Sequence, residues 1–112
     1  MSAPRLNRQL VLETATRTPD GAGGFSRIWS AIGTLWAEVR SRSGREVGGG
    51  ETTLSRVAYR ITVRASPVGA ASRPAPGQRF RDGSRLFLIR AVTEQDQEGR
   101  YLLCFADEEV VT

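Results

Sequence analysis

The chain has 112 residues, room for one domain with one modest core, and we take residues 1–112 as a single unit. Its apolar fraction of 39% and charged fraction of 25% are those of a folded domain, and no apolar run approaches the roughly 18–20 residues that cross a bilayer, so no membrane contact is expected. All 16 basic residues are arginine, with no lysine and no histidine, and the one cysteine is Cys104; an imidazole base, a cysteine-rich zinc site and an intramolecular disulfide are therefore excluded.

The net charge of +4 is unevenly spread, the first 93 residues carrying +9 and the last 19 carrying −5. The acids of that last segment are Glu94, Asp96, Glu98, Asp107, Glu108 and Glu109. A basic body with an acidic end suits contact between copies or folding of the end back onto its own body. Met1–Arg5 contains no apolar stretch, so no secretory signal is expected.

Gln9 to Arg17 alternates. Leu10, Leu12, Thr14 and Thr16 face one way, and Gln9, Val11, Glu13 and Ala15 the other, the pattern of a strand with one wetter face. Pro19-Asp20-Gly21 supplies turn chemistry, prolonged by Gly23-Gly24. Phe25 to Arg40 is a second β region with Leu35, Ala37 and Val39 towards the core and Trp36, Glu38 and Arg40 opposite. Ser43-Gly44-Arg45-Glu46 has the spacing of a capped helix start, which Gly48-Gly49-Gly50 would cut short, so a short helix and a long loop both fit.

Val57, Tyr59, Ile61 and Val63 mark one face of a third strand, with Arg60, Thr62 and Arg64 on the wetter face. Residues 65–78 hold Pro67, Pro74 and Pro76 and few large apolar side chains, and read as a long functional or disordered loop. Arg79–Asp82 and Leu86–Val92 form a hairpin turning at Asp82-Gly83. A charged turn over 94–99 leads to a last strand, Tyr101–Ala106. Five to six strands at this spacing predict an all-β fold, a small antiparallel barrel or sandwich with one short helix or long loop.

No phosphate-binding loop, metal-ligand cluster or nucleophile–base pair accompanies these strands, so no enzyme activity and no cofactor are expected. What remains is surface. Arg40, Arg42, Arg45 and Glu46 form a candidate loop for a partner or for DNA. Trp29, Trp36, Arg60, Arg64, Glu108 and Glu109 are candidate subunit-interface residues, because tryptophan and arginine anchor interfaces. No aromatics interleave with Arg56, Arg60 and Arg64 on the wetter face of the third strand as a base-stacking platform would require.

Several segments together resemble the phage head–tail joining family, the small connectors that close heads. They are Leu6-Asn7-Arg8-Gln9-Leu10, Thr16-Arg17-Thr18-Pro19-Asp20-Gly21-Ala22-Gly23-Gly24-Phe25, Trp29, Leu35-Trp36-Ala37-Glu38-Val39-Arg40, Ser43-Gly44-Arg45-Glu46, Tyr59–Arg64, Gly77-Gln78-Arg79-Phe80 and Leu86–Val92. The resemblance spans nearly the whole chain. It implies a small β-barrel with a short helix, forming a ring in the neck of a phage-like particle assembled in the bacterial cytoplasm. The ring, six-fold rather than twelve-fold, would sit between the portal–adaptor ring and the tail terminator or tail tube. It would close or line the DNA channel, touching packaged double-stranded DNA non-specifically. The lysine-free composition fits a gene transfer agent or prophage. The glycine run at 48–50 and the long 65–78 loop depart from the family pattern. The residues alone leave two alternatives open: a monomeric nucleic-acid-binding β-barrel module, and a tail-completion protein.

Overall fold

In the computed structural model, which describes residues 3–43 and 54–111, six strands close into one antiparallel barrel. They are β1 (Arg8–Pro19), β2 (Phe25–Ser43), β3 (Leu54–Arg64), β4 (Arg79–Asp82), β5 (Arg85–Glu94) and β6 (Tyr101–Val111). The order around the barrel is β1-β2-β3-β6-β5-β4, with β4 pairing back onto β1. Closure leaves the barrel wall no free edge, which a sheet of this size would otherwise expose.

Alternation fills the interior. Leu10 and Leu12 of β1, Ala37 of β2, Ile61 and Val63 of β3, Phe80 of β4, Phe87 and Ile89 of β5 and Leu102, Cys104 and Ala106 of β6 are all buried. Tyr59 meets Phe87 edge to face at 5.1 Å between centroids. The expected core faces of the second and third strands are those observed. Thr62 departs from expectation: it lies on the wetter face yet is buried, its hydroxyl 3.5 Å from the Gln95 side chain.

The extended segments are longer than the sequence pattern marks. The last strand runs on past Ala106 to Val111, so its acids Asp107, Glu108 and Glu109 sit on a strand and not in a tail. The hairpin between β4 and β5 turns at Gly83-Ser84, one residue beyond the expected position, with Asp82 paired to Arg85. Gly83 takes φ 62° there, as the first link of a primed two-residue turn requires.

Residues 65–78 are ordered by polar contacts where large apolar ones are missing. Arg73 donates to the Ser66 carbonyl at 2.8 Å, the Ser72 and Ser66 hydroxyls lie 3.1 Å apart, and Pro74 is buried. The Ile89 amide donates to the Gln78 carbonyl at 2.9 Å, fastening the loop's end to β5. Among the described residues there is no helix. The expected helix start at Ser43-Gly44-Arg45-Glu46 runs into 44–53, outside the described residues.

The first two strands extend well past the wall. β1 pairs with β4 only as far as Glu13, and β2 pairs with β3 only from Ala37 onward. Beyond these points Thr14–Pro19 and Phe25–Ser30 pair with each other alone, six residue pairs long. At about 3.4 Å per residue this two-stranded arm reaches roughly 20 Å. Leu12 pairs with Gly33 while Glu13 pairs with Ala31, so Ile32 is an extra residue, a β-bulge. The bulge exchanges the faces of β2. Leu35, Ala37 and Val39 point inward below it, whereas Phe25, Arg27 and Trp29 join the outer face above it.

Candidate functional site

The outer surface of the barrel carries two basic faces, each built from strands that are distant in sequence. The first lies across β2, β3 and β6. Arg40 stands directly opposite Arg60, and Arg60 in turn opposite Phe105. Arg64 stands opposite Tyr101, its guanidinium 5.8 Å from the ring centroid. The Arg42 guanidinium lies 5.2 Å from the Phe105 ring. Trp36, on the same outward phase of β2, is 55% exposed and shares an open depression with Leu6, Thr34 and Arg64.

Arginines placed directly across a ladder repel. Among the described residues one carboxylate offsets this row: the Arg40 Nε lies 3.5 Å from Glu38, which also accepts the Arg5 backbone amide at 2.9 Å. Among the described residues Arg42, Arg60 and Arg64 have no carboxylate partner. A surface of exposed guanidiniums lying on aromatic rings is suited to acidic protein or to phosphate. The aromatics are where sequence reading went astray. Tyr101 and Phe105 do interleave with these arginines, but through the β3–β6 pairing and not along the chain.

The second face lies across β1, β2 and β4 and continues onto the arm. Glu13 is buried there, accepting Nε–H bonds from Arg79 at 2.7 Å and Arg81 at 2.9 Å. Burial pushes the Glu13 carboxyl up, but the hydrogen bonds and charges of Arg81 and Arg79 outweigh it and hold it below the usual carboxylate range. The Arg79 guanidinium lies 4.0 Å over Trp29. Further out, Arg17 and Arg27 stand directly opposite each other, with Arg17 stacked 4.4 Å over Phe25. Asp20 shapes the tip by accepting the amides of Ala22 at 2.8 Å and Gly24 at 3.1 Å, which lower its pKa.

The candidate residues are thus distributed over the molecule. Trp36, Arg40, Arg42, Arg60 and Arg64 share the first face. Trp29 belongs to the second and is half-buried beneath Arg79. Glu108 points inward from β6, where Arg85 grips it bidentately at 2.7 and 3.0 Å and also donates to the Tyr59 hydroxyl at 3.1 Å. The Arg85 hydrogen bond lowers the Glu108 pKa and, reciprocally, Glu108 raises that of Arg85. Glu109 is exposed. Arg45 and Glu46 lie outside the described residues. Sequence reading missed Arg17, Arg27, Arg79 and Arg81 as one cluster. The available signal was Gly33 inside a strand, a mark of a bulge.

Burial pushes the Cys104 thiol up to about 12, which leaves it unreactive. Among the described residues no group of three metal-ligating side chains converges.

Comparison with known proteins gives these surfaces their context. No curated protein sequence matches the chain. Among solved structures, a chain of the virion of a native gene transfer agent particle is 59% identical. The match covers 98% of this chain and 100% of that one, with a TM-score of 0.87. A Shigella flexneri 2a protein studied in solution is 22% identical over 96% of both chains, with a TM-score of 0.65, a likeness of fold alone. The family model described as phage head completion protein matches residues 1–109, and the chain therefore belongs to the phage head completion protein family, structural proteins of phage-type heads.

Proposed function

We propose that this chain is a ring-forming head–tail connector in the neck of a particle of the gene transfer agent type. It sits between the portal–adaptor ring and the tail, closes or lines the DNA channel and offers the tail a docking surface. Family membership and the 59% identity to a chain of a gene transfer agent virion support the setting. The observation that carries the mechanism is the arginine row of β2, β3 and β6, where Arg40 stands opposite Arg60 and, among the described residues, one carboxylate offsets the row. Such a surface gains most from an acidic partner or from phosphate. The work is assembly, not catalysis: heterologous contacts close a ring, six-fold to match the tail, and the exposed arginines of this row meet packaged DNA without reading its sequence. The segment 41–53 leading from β2 to β3, with Arg42, Arg45 and Glu46 and with Arg40 just before it, is our candidate for the channel-facing loop.

Deleting the gene from a producing strain tests this. DNA-filled heads without tails, restored by the full-length chain in trans, are the expected result. Normal tailed particles would refute it. The interleaved Tyr101 and Phe105 favour one second reading, a monomeric module binding single-stranded nucleic acid. That reading requires tight, steeply salt-dependent oligonucleotide binding by the isolated chain, together with tailed particles in the deletion strain.

A further inference from the structure

The strands of the arm pair only with each other among the described residues. A two-stranded ribbon is marginal in water by itself, and this one adds a repelling Arg17–Arg27 pair. At and near its tip Phe25 is 60% exposed and Ile28 52% exposed. Among the described residues neither Arg17 nor Arg27 has a carboxylate partner.

The same end of the barrel carries a surface of opposite character. The turn between β5 and β6 holds Glu94, Asp96 and Glu98 around a single cation, Arg100, which bonds Asp96 at 3.1 Å and Glu98 at 2.9 Å. Glu94 is exposed and has no cationic partner among the described residues. The turn is bound to the start of the 65–78 loop by the Ala65 amide, which donates to the Arg100 carbonyl at 2.9 Å. Beside it lies an open, mostly apolar depression of about 460 Å³, lined by Ile32, Val92, Pro74 and Val68, which is 86% exposed, together with Arg73 and Gln78.

One copy thus presents a basic, aromatic projection and, on a different patch, an acidic turn beside a mostly apolar depression. Two unlike patches that match each other make a heterologous contact, the kind that closes rings. We propose that the β1–β2 arm of one copy docks on the β5–β6 turn and adjoining depression of the next copy. Arg17 and Arg27 meet Glu94 and Glu98, and Phe25 or Ile28 enters the depression. This deepens the connector reading and rests on it, since the occupant is a second copy in the same ring.

Charge reversal tests the contact in producing cells that carry full-length variants. Arg17→Glu with Arg27→Glu, and separately Glu94→Arg with Glu98→Arg, should each lower tailed particles by about tenfold or more, because like charges face each other across the contact. The four changes together should restore them. A second readout co-expresses R27C and E98C copies and looks for a disulfide dimer that forms only when both are present. Both variant pairs should leave the melting temperature of the isolated chain near the wild-type value, since the residues are exposed. Loss with the arm pair and no rescue by the turn pair, accompanied by DNA leakage, would assign the arm to DNA and overturn the proposal. Normal tailed particles with all variants would also overturn it, while leaving the connector reading intact. The connector reading itself fails only if the gene deletion leaves tailed particles.

Discussion

Replacing Glu13 with glutamine probes the junction between arm and barrel. The carboxylate is buried on the outer face and binds two guanidinium groups from β4, one of which lies over Trp29 of the arm. Glutamine keeps the shape but loses the charge, and its amide nitrogen turns a donor towards an arginine donor. Breaking a fully buried ion pair costs about 3–5 kcal/mol. Here Arg81 is 39% exposed and Arg79 20%, so water recovers part of the loss, and a cost of about 2 kcal/mol is expected after that discount. With an unfolding entropy of about 2.1 cal/mol/K per residue, this lowers the melting temperature by roughly 8 °C.

The pH dependence has a definite sign. The folded pKa of Glu13 is depressed, so its contribution is fully present above the unfolded carboxylate value and is lost as pH falls through the folded one. Thermal melts of both proteins should differ most at pH 7, with the gap closing below about pH 4. A loss under about 2 °C at pH 7, or a gap constant down to pH 3, would refute the argument that this ion triad fastens the arm.

Three further outcomes follow from the geometry. Trp36→Ala should lower the melting temperature by less than about 4 °C, because the ring is 55% exposed, yet reduce tailed particles by about tenfold if it anchors a contact. A thermal loss as large as that of Phe87→Ala, a core truncation worth about 3–5 kcal/mol, would instead mark Trp36 as core. Cys104 should resist alkylation at pH 8 in the native chain and react once it is unfolded; rapid native labelling would contradict its burial and raised pKa. Asp20→Ala should speed amide hydrogen exchange at Ala22 and Gly24 while leaving the barrel amides unchanged, since the carboxylate holds only the arm's tip. Because hydrogen bonds depress the Asp20 pKa, wild-type tip protection should persist down to the ordinary carboxylate range and fade below it.

Much of the fold was legible because alternation is a local signal. Leu35, Ala37 and Val39, and Ile61 and Val63, face the core as their period of two requires. The extent of the strands was less legible. Charge at Asp107–Glu109 reads as a tail until Arg85 and Arg90 are seen to neutralise two of the three acids from β5. The bulge at Ile32 is a one-residue event whose effect, moving Trp29 to the face of Arg79, depends on a strand some 50 positions away. The candidate surface shows the same division. Arg40, Arg60 and Arg64 were visible as a wet strand face, whereas their pairing with Tyr101 and Phe105 required the β3–β6 register. Non-local pairing has no signature in the residues themselves, so the guanidinium–aromatic character of the site emerged only with the barrel.

The central claim is that this chain forms a ring in a particle neck. Cryo-electron microscopy of intact particles carrying this chain, with the barrel fitted to the neck density, tests it most directly. The account predicts a closed ring of this six-stranded barrel between the portal–adaptor assembly and the tail, with the arm of each copy against the β5–β6 turn of the next. Neck density without this barrel, or the chain located in the capsid shell or at the tail tip, would contradict it.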